Sequence, residues 1–338
     1  MDPSETASSD PGDTGRRRVL LLGATGTIGR ATLGALRDRG HEVVCVVRPG
    51  RRTGLDGVLA EGTSVEIREA ELTDPASVGD ALAREPLDAV VSCMASRTGS
   101  PRDAWAVDHD AHLRVLGAAR DAGAGQFVLL SAICVQKPRL AFQHAKLAFE
   151  EALVASGLDW SIVRPTAFFK SLSGQVERVG AGKPFLLFGD GTGTACKPIG
   201  AGDLATYLAG CLDDPARRNR ILPVGGPGPA LTPRDQGELL FATAGREPRF
   251  RSVPLGLLDT VVGLLAMAGR IVPPLAEKAE LARIGRYYAT ESMLVWDEAA
   301  GRYDADATPE FGSERLADYY ARMLRGEIRD ERGDHAVL

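Results

Sequence analysis

The 338-residue chain is poor in aromatic residues, at 6%, and poor in lysine, which supplies six of its 40 basic side chains. With few aromatics, the core has to be built from Val, Leu, Ile and Ala. Scarce lysine alongside abundant Ala and Gly looks like a GC-rich bacterial coding bias, so a retained lysine draws notice. Five of the six fall between Lys137 and Lys197. There is no excess of positive charge: the net charge of −5 excludes a general nucleic-acid binder, which needs cations for phosphates. Cys45, Cys93, Cys134, Cys196 and Cys211 are odd in number and widely spaced, with no C-x-x-C. That excludes a disulfide framework and a structural metal site, and fits a reducing, cytoplasmic compartment. No uncharged apolar run reaches the ~18 residues of a membrane-spanning helix. The nearest approach, Val253–Ala268, is interrupted by Asp259. Residues 1–17 are polar, rich in Pro and Gly, and carry four acidic side chains, so they are expected to be a disordered tail and not a signal or transit peptide. Residues 331–338 are expected to be a second tail.

One further absence bears on chemistry. The six tyrosines begin at Tyr207, so the first half of the chain contains no phenol at all.

From residue 18 onward the pattern is strand, glycine turn, helix, strand, repeated. Arg18–Leu22, Glu42–Arg48, Ser64–Arg68, Asp88–Cys93, Gln126–Ser131 and Trp160–Arg164 read as short apolar strands covered on both faces. Helix formers fill Pro75–Arg84, Ala104–Ala122 and Leu140–Ser156 between them. This alternation predicts an α/β fold, a doubly wound parallel sheet with right-handed crossovers. After Pro165 the rhythm changes: glycine is dense in Gly180–Gly202, and helices are expected at Asp203–Asp213, Thr232–Ala244 and within 253–285. The expected division is a nucleotide domain at 18–165 and a smaller substrate-binding part at 166–330, which could pack as one body.

Gly23-Ala24-Thr25-Gly26-Thr27-Ile28-Gly29 lies directly between the first strand and the first helix. Glycines there let backbone amides approach a pyrophosphate at a positive helix terminus, so Gly23, Thr25, Gly26, Thr27, Ile28 and Gly29 are candidate cofactor residues. An NAD site usually places an acid ~20 residues further on, to accept from the ribose 2′-hydroxyl. Arg48 stands there instead, followed by Arg51 and Arg52. Arginine pairs with a phosphate and cannot accept a hydrogen bond, which favours NADPH. The alternative is a solvated arginine loop. Glu71 and Leu72, Cys93 and Met94, and Pro165 and Thr166 follow the third, fourth and sixth strands and complete the expected cofactor site.

In short-chain reductases a serine follows the fifth strand and a Tyr-x-x-x-Lys lies on the next helix. Ser131 and Lys146 match and are the candidate catalytic residues, but the tyrosine position is Phe142. Phenylalanine cannot move a proton, so ordinary carbonyl reduction is not expected. A conjugated C=C fits better as hydride acceptor, because the charge left by hydride addition spreads into the attached π-system. Lys146 can hold the nicotinamide ribose or stabilise that charge.

The G-x-x-G-x-x-G spacing resembles the extended and atypical short-chain dehydrogenase/reductases with a Rossmann fold. More specific are Ala141–Gln143 to Lys146–Glu150, Ile162–Leu172, Gly182–Phe185, Phe188–Gly191, Ala195–Ile199, Leu222–Gly228, Leu231–Pro233, Arg283–Ala289 and Glu291–Leu294. Together they resemble the divinyl chlorophyllide 8-vinyl reductases over nearly all of Arg18 to Met323. The resemblance implies an NADPH-dependent enzyme that reduces the C8 vinyl group of 3,8-divinyl chlorophyllide or protochlorophyllide to ethyl, leaving the C3 vinyl intact. A tetrapyrrole substrate then points to Phe168 and Phe169 as flat apolar contacts, one of which is expected to be core. Lys170, Arg283 and Arg286 are candidate partners for its propionate. His144 departs from the pattern and is given no role. An ene-type reductase of another small conjugated substrate, or a non-catalytic NADP-binding regulator, remain as other readings. Val253–Val272 could be a core helix pair or a peripheral contact with a photosynthetic membrane.

Overall fold

The computed structural model describes residues 15–55, 65–82, 85–269 and 272–328. Most of the expected N-terminal tail, and all of 331–338, lie outside these described residues. The elements run β1 Arg18–Leu22, α1 Thr27–Asp38, β2 Glu42–Val47, β3 Val65–Glu69, α2 Pro75–Leu82, β4 Ala89–Ser92 and α3 Pro101–Ala104. A π-helical segment, Trp105–Ala111, joins α3 to α4 His112–Asp121. Then come β5 Gln126–Leu130, α5 Ala141–Val154, β6 Asp159–Pro165, α6 Val176–Gly180, β7 Phe185–Phe188, α7 Ala201–Gly210, β8 Arg220–Val224, α8 Pro233–Thr243 and β9 Phe250–Val253. The chain closes with α9 Leu255–Gly269, α10 Pro273–Thr290, β10 Val295–Asp297, β11 Arg302–Asp304 and α11 Leu316–Leu324.

Seven parallel strands form one sheet in the order β3-β2-β1-β4-β5-β6-β8. The inner strands β1, β2, β4 and β5 are nearly continuous apolar runs because both faces are covered. Leu20, for instance, pairs with Val44 on one side and Val90 on the other and is fully buried. On one face Leu33 and Leu36 of α1 meet Leu204 and Leu208 of α7. On the other, Leu82, Val115, Phe127, Phe149 and Leu153 form a second core.

The sheet does not stop at Pro165. β8 pairs with β6, from Ser161↔Arg220 to Pro165↔Val224, after the crossover through α7. Residues 201–224 therefore belong to the nucleotide-binding half, and the segments around them form the rest of the molecule. There the two-stranded β7–β9 sheet, α6, α8 and α11 enclose Phe169, Phe185, Phe241 and Tyr320.

The apolar stretch 253–285 is not one helix. It ends β9, forms α9, and turns at Pro273 and Pro274 into α10, which runs back along α9. None of the α9 residues is buried, with Leu257 54%, Leu264 57% and Met267 62% exposed. The core reading of this helix pair does not hold for α9. α10 is the half that packs inward, through Ala279, Ile284 and Tyr287.

Candidate active site

The glycine turn is built for close approach. Gly23 has φ +73°, where a side chain is strained, and a Cβ there would come within 2.6 Å of the Cys93 carbonyl oxygen. A Cβ on Gly29 would overlap the Gly23 carbonyl, so only glycine lets α1 start this tightly against β1. Gly26 caps α1 without any side-chain hydrogen bond, which leaves the first-turn amides to a ligand. The geometry fits a dinucleotide pyrophosphate. Thr25, Thr27 and Ile28 are partly exposed around the turn, and Arg48, Arg51 and Arg52 are exposed beyond the end of β2. Glu71 accepts from the Thr73 amide and hydroxyl, at 3.3 and 2.7 Å, while the Leu72 side chain sits in the core. Met94 is partly exposed beside Cys93, whose thiol burial pushes up to about 12. A cavity of about 440 Å³ opens past β3 and β4, between Thr73, Arg97, Arg102, Val107 and Glu277 of α10.

Lys146 faces inward from α5. Its Nζ donates to Asp108 Oδ1 at 2.9 Å, and the Asp108 side chain is wholly buried. The same oxygen accepts from the Ser96 amide at 3.2 Å, while Oδ2 has no hydrogen-bond partner. Asp108 lies in the π-helical segment, a local widening that recurs at functional sites. Four residues on, His112 is buried between Ser92 Oγ and the Val107 carbonyl, each at 2.8 Å from a ring nitrogen. The carbonyl fixes Nδ1 as donor, so Nε2 accepts from Ser92. Burial, helped by the nearby Lys146 charge, lowers the imidazole pKa to about 4 and keeps it neutral. A lysine ammonium is thus held in a site with few charges besides its own partner.

Phe142 occupies the tyrosine position and packs against Cys134, Ala145, Ile284 and Tyr287. Ser131 is brought to the end of β5 as expected, but its hydroxyl donates to Glu150, which also pairs with Arg164. The Ser131 hydroxyl thus serves this buried network. Pro165 and Thr166 close β6, where the Thr166 hydroxyl donates to the Lys197 carbonyl and its amide to Val224.

The substrate-side residues divide. Phe168 is partly buried and packs against the core that includes Ala24 of the glycine turn. Phe169 is 4% exposed and belongs to the C-terminal core, its ring tilted against that of Tyr319, the position expected for one of the two phenylalanines. Lys170 Nζ reaches Thr27 Oγ1 at 2.8 Å, at the head of α1. Arg286 pairs with Asp259 and ties α10 to α9. Arg283 pairs with Glu280 one turn earlier at 3.0 Å. Both arginines are engaged in ion pairs within the hairpin. Among the described residues, no group of three His, Cys, Asp or Glu side chains could hold a metal.

Residues 23–215 match the model of an NAD(P)H-binding family. A divinyl chlorophyllide a 8-vinyl-reductase of chloroplasts from Oryza sativa subsp. indica is 47% identical over 331 residues, covering 95% of this chain and 82% of that one. The Arabidopsis thaliana protein of the same name is 45% identical, covering 91% of this chain and 76% of that one. The chain belongs to the divinyl chlorophyllide a 8-vinyl-reductase family. In fold it is similar to an NADPH-dependent quinone oxidoreductase from Escherichia coli, with a TM-score of 0.65 and 15% identity over 90% of this chain and 99% of that one.

Within this family member, sequence reading missed Asp108, Ser92 and His112. The signal available was Asp108 and His112 four residues apart on a helix whose Ala111, Val115 and Ala119 are buried, which puts an acid and an imidazole next to an apolar face. It also missed that Lys170 folds over the cofactor turn of the vinyl reductase, because no spacing rule links positions 27 and 170.

Proposed function

We propose that this chain reduces the C8 vinyl group of 3,8-divinyl chlorophyllide or its protochlorophyllide counterpart to ethyl, with NADPH as reductant. The observation that carries the reading is the buried Lys146, paired with Asp108 of the π-helical segment, on a helix whose proton-moving position is Phe142. Such a site supplies fixed positive charge without a phenol on that helix, which suits a conjugated C=C. Membership of the vinyl-reductase family supports it.

NADPH, when bound, supplies the hydride. The glycine turn and the uncapped start of α1 bind its pyrophosphate, and Lys170 adds a cation at the same place. Arg48, exposed past β2, pairs with the 2′-phosphate. Lys146 holds the nicotinamide ribose and stabilises the negative charge that hydride addition leaves on the macrocycle. Asp108 keeps the ammonium in one position. Phe168, beside the turn, offers the pigment an apolar surface.

Incubation of the protein with NADPH and each divinyl pigment, followed by pigment chromatography, tests the reading. An 8-ethyl product that retains the 3-vinyl group is expected. Tight NADPH binding with every pigment unchanged would replace it with a regulator.

The α9 face extends the proposal to location. No helix among the described residues is long and apolar enough to cross a membrane. α9 nevertheless exposes Leu257, Val261, Leu264 and Met267 and packs mainly on α10. The strand leading into it carries exposed Arg251, with Lys183, Arg246 and Arg249 exposed nearby and hydrogen bonds from Arg246 and Arg249 to Gly180 and Gly182. An apolar helix beside a basic lip suits an anionic lipid surface, lying in the interface without spanning it. Flotation with phosphatidylglycerol vesicles should carry the protein upward, and phosphatidylcholine vesicles should carry much less. Equal failure on both, with a dimer in solution, would assign the face to a second copy.

A further inference from the structure

Vinyl reduction consumes a proton as well as a hydride, and α5 offers only Phe142 where a phenol would deliver it. The element lying on that position is α10. Phe142, Cys134 and Ala145 share one packed cluster with Ile284 and Tyr287. Gly99 lies in the same contact, since a Cβ there would meet Ile284 at 2.9 Å and Phe142 at 3.6 Å. α10 carries two adjacent tyrosines, and their hydroxyls differ. Tyr287 is 4% exposed and donates to the Cys134 and Lys137 carbonyls, both at 3.0 Å, so its proton is committed. The Tyr288 hydroxyl lies 3.9 Å from Cys134 Sγ, and a thiol is a weak partner. Its ring is 43% exposed while the hydroxyl is directed at a thiol that is 2% exposed. Cys134 follows Ser131 in the turn after β5 and lies within the electrostatic reach of Lys146.

We propose that Tyr288, supplied by α10, is the proton donor that replaces the tyrosine missing from α5. Addition of the cofactor's hydride to the outer vinyl carbon leaves an electron pair shared between the inner carbon and the macrocycle. The Tyr288 O–H bond breaks, a C–H bond forms at the inner carbon, and the phenolate oxygen takes a proton back from water once product leaves. A phenol is protonated at neutral pH without any shift, as a donor to a strongly basic carbanion must be. The proposal rests on the vinyl-reductase reading.

The test is reduction of divinyl chlorophyllide by NADPH in D₂O, with the configuration of deuterium at the inner carbon of the new ethyl group as readout. The unaltered protein should place deuterium on one face only. Tyr288→Phe should lower kcat on the order of 10²-fold, the usual worth of a positioned acid, and give both configurations. Its NADPH Kd and pigment KM should stay within about twofold, a change of ~0.4 kcal/mol. Tyr287→Phe, which loses two structural hydrogen bonds, should lower Tm and keep the single configuration. The proposal is overturned if the unaltered protein deuterates both faces, which needs no variant to fold. It is equally overturned if Tyr288→Phe keeps a single configuration, whatever its rate. No reduction at all by the unaltered protein would refute the vinyl-reductase reading and this proposal with it.

Discussion

Helices α1 and α9 are similar in length and opposite in circumstance. α1 carries Arg30, Arg37 and Asp38 and still buries Gly29, Thr32, Leu33 and Leu36 against the sheet. α9 has one charged residue, Asp259, and buries nothing. The more polar helix is core and the more apolar one is surface. Apolar composition measures how much a segment gains by leaving water, but its neighbours decide whether it can do so within the fold. α1 is pinned by a turn whose glycines admit no side chain, and a second helix closes over it. α9 is held by a proline turn, by its α10 neighbour and by the Arg286–Asp259 pair.

If that contrast is right, substitutions in the two regions should differ in kind. The largest effect belongs to the buried centre. Lys146→Ala strands the Asp108 carboxylate in the core and should cost about 3–5 kcal/mol of stability, seen as a lowered denaturation midpoint. It should also lower kcat/KM on the order of 10²-fold. Pairing Lys146→Met with Asp108→Asn should recover most of the stability and none of the activity.

Acid probes the same centre. The folded His112 pKa lies near 4 against 6.5 unfolded, so between those values the unfolded chain binds more protons. Stability should therefore fall as pH drops from 6.5 toward 4, by roughly 3 kcal/mol for this group once both forms are protonated. His112→Asn should flatten that part of the stability-versus-pH curve. An unchanged slope would show that the imidazole is not held neutral.

Smaller again is the effect at the surface of the nucleotide half. Arg48→Glu should reverse a preference of at least tenfold for NADPH over NADH, about 1.4 kcal/mol, measured as the two dissociation constants. Equal affinities in the unaltered protein would return Arg48 to a solvated loop. The smallest stability change belongs to α9: Leu264→Ser should move the midpoint by less than about 0.5 kcal/mol. It should nevertheless reduce flotation with anionic vesicles. A loss of several kcal/mol would mean that α9 is core after all, and the contrast with α1 would collapse.

These two helices also show which parts of the molecule are legible in sequence. The sheet is readable because strands buried on both faces are continuous apolar runs, and the glycine turn because backbone geometry fixes its spacing. Lys146 and Phe142 are readable for the same reason, being tied to a helical repeat. β8 is harder to see, since Arg220 opens it, Pro223 interrupts its apolar run and its first two residues are exposed. Asp108 is hidden because an acid in a helix ordinarily faces water, and only a lysine 38 positions away makes its burial tolerable. Phe169, Arg283 and Arg286 look like ligands by motif, but their partners are set by tertiary packing. Adjacent Phe168 and Phe169 point to different cores, one beside the cofactor turn and the other beneath α11.

NADPH bound beside the buried Lys146 would pass its hydride to a vinyl carbon of a tetrapyrrole. NADPH carrying deuterium at the transferable C4 position, mixed with divinyl chlorophyllide and analysed by mass spectrometry and NMR of the pigment, tests it most directly. One deuterium per product molecule is expected, in the methyl group of the new 8-ethyl substituent. Deuterium retained on the cofactor, or delivered to any other position of the pigment, would contradict it.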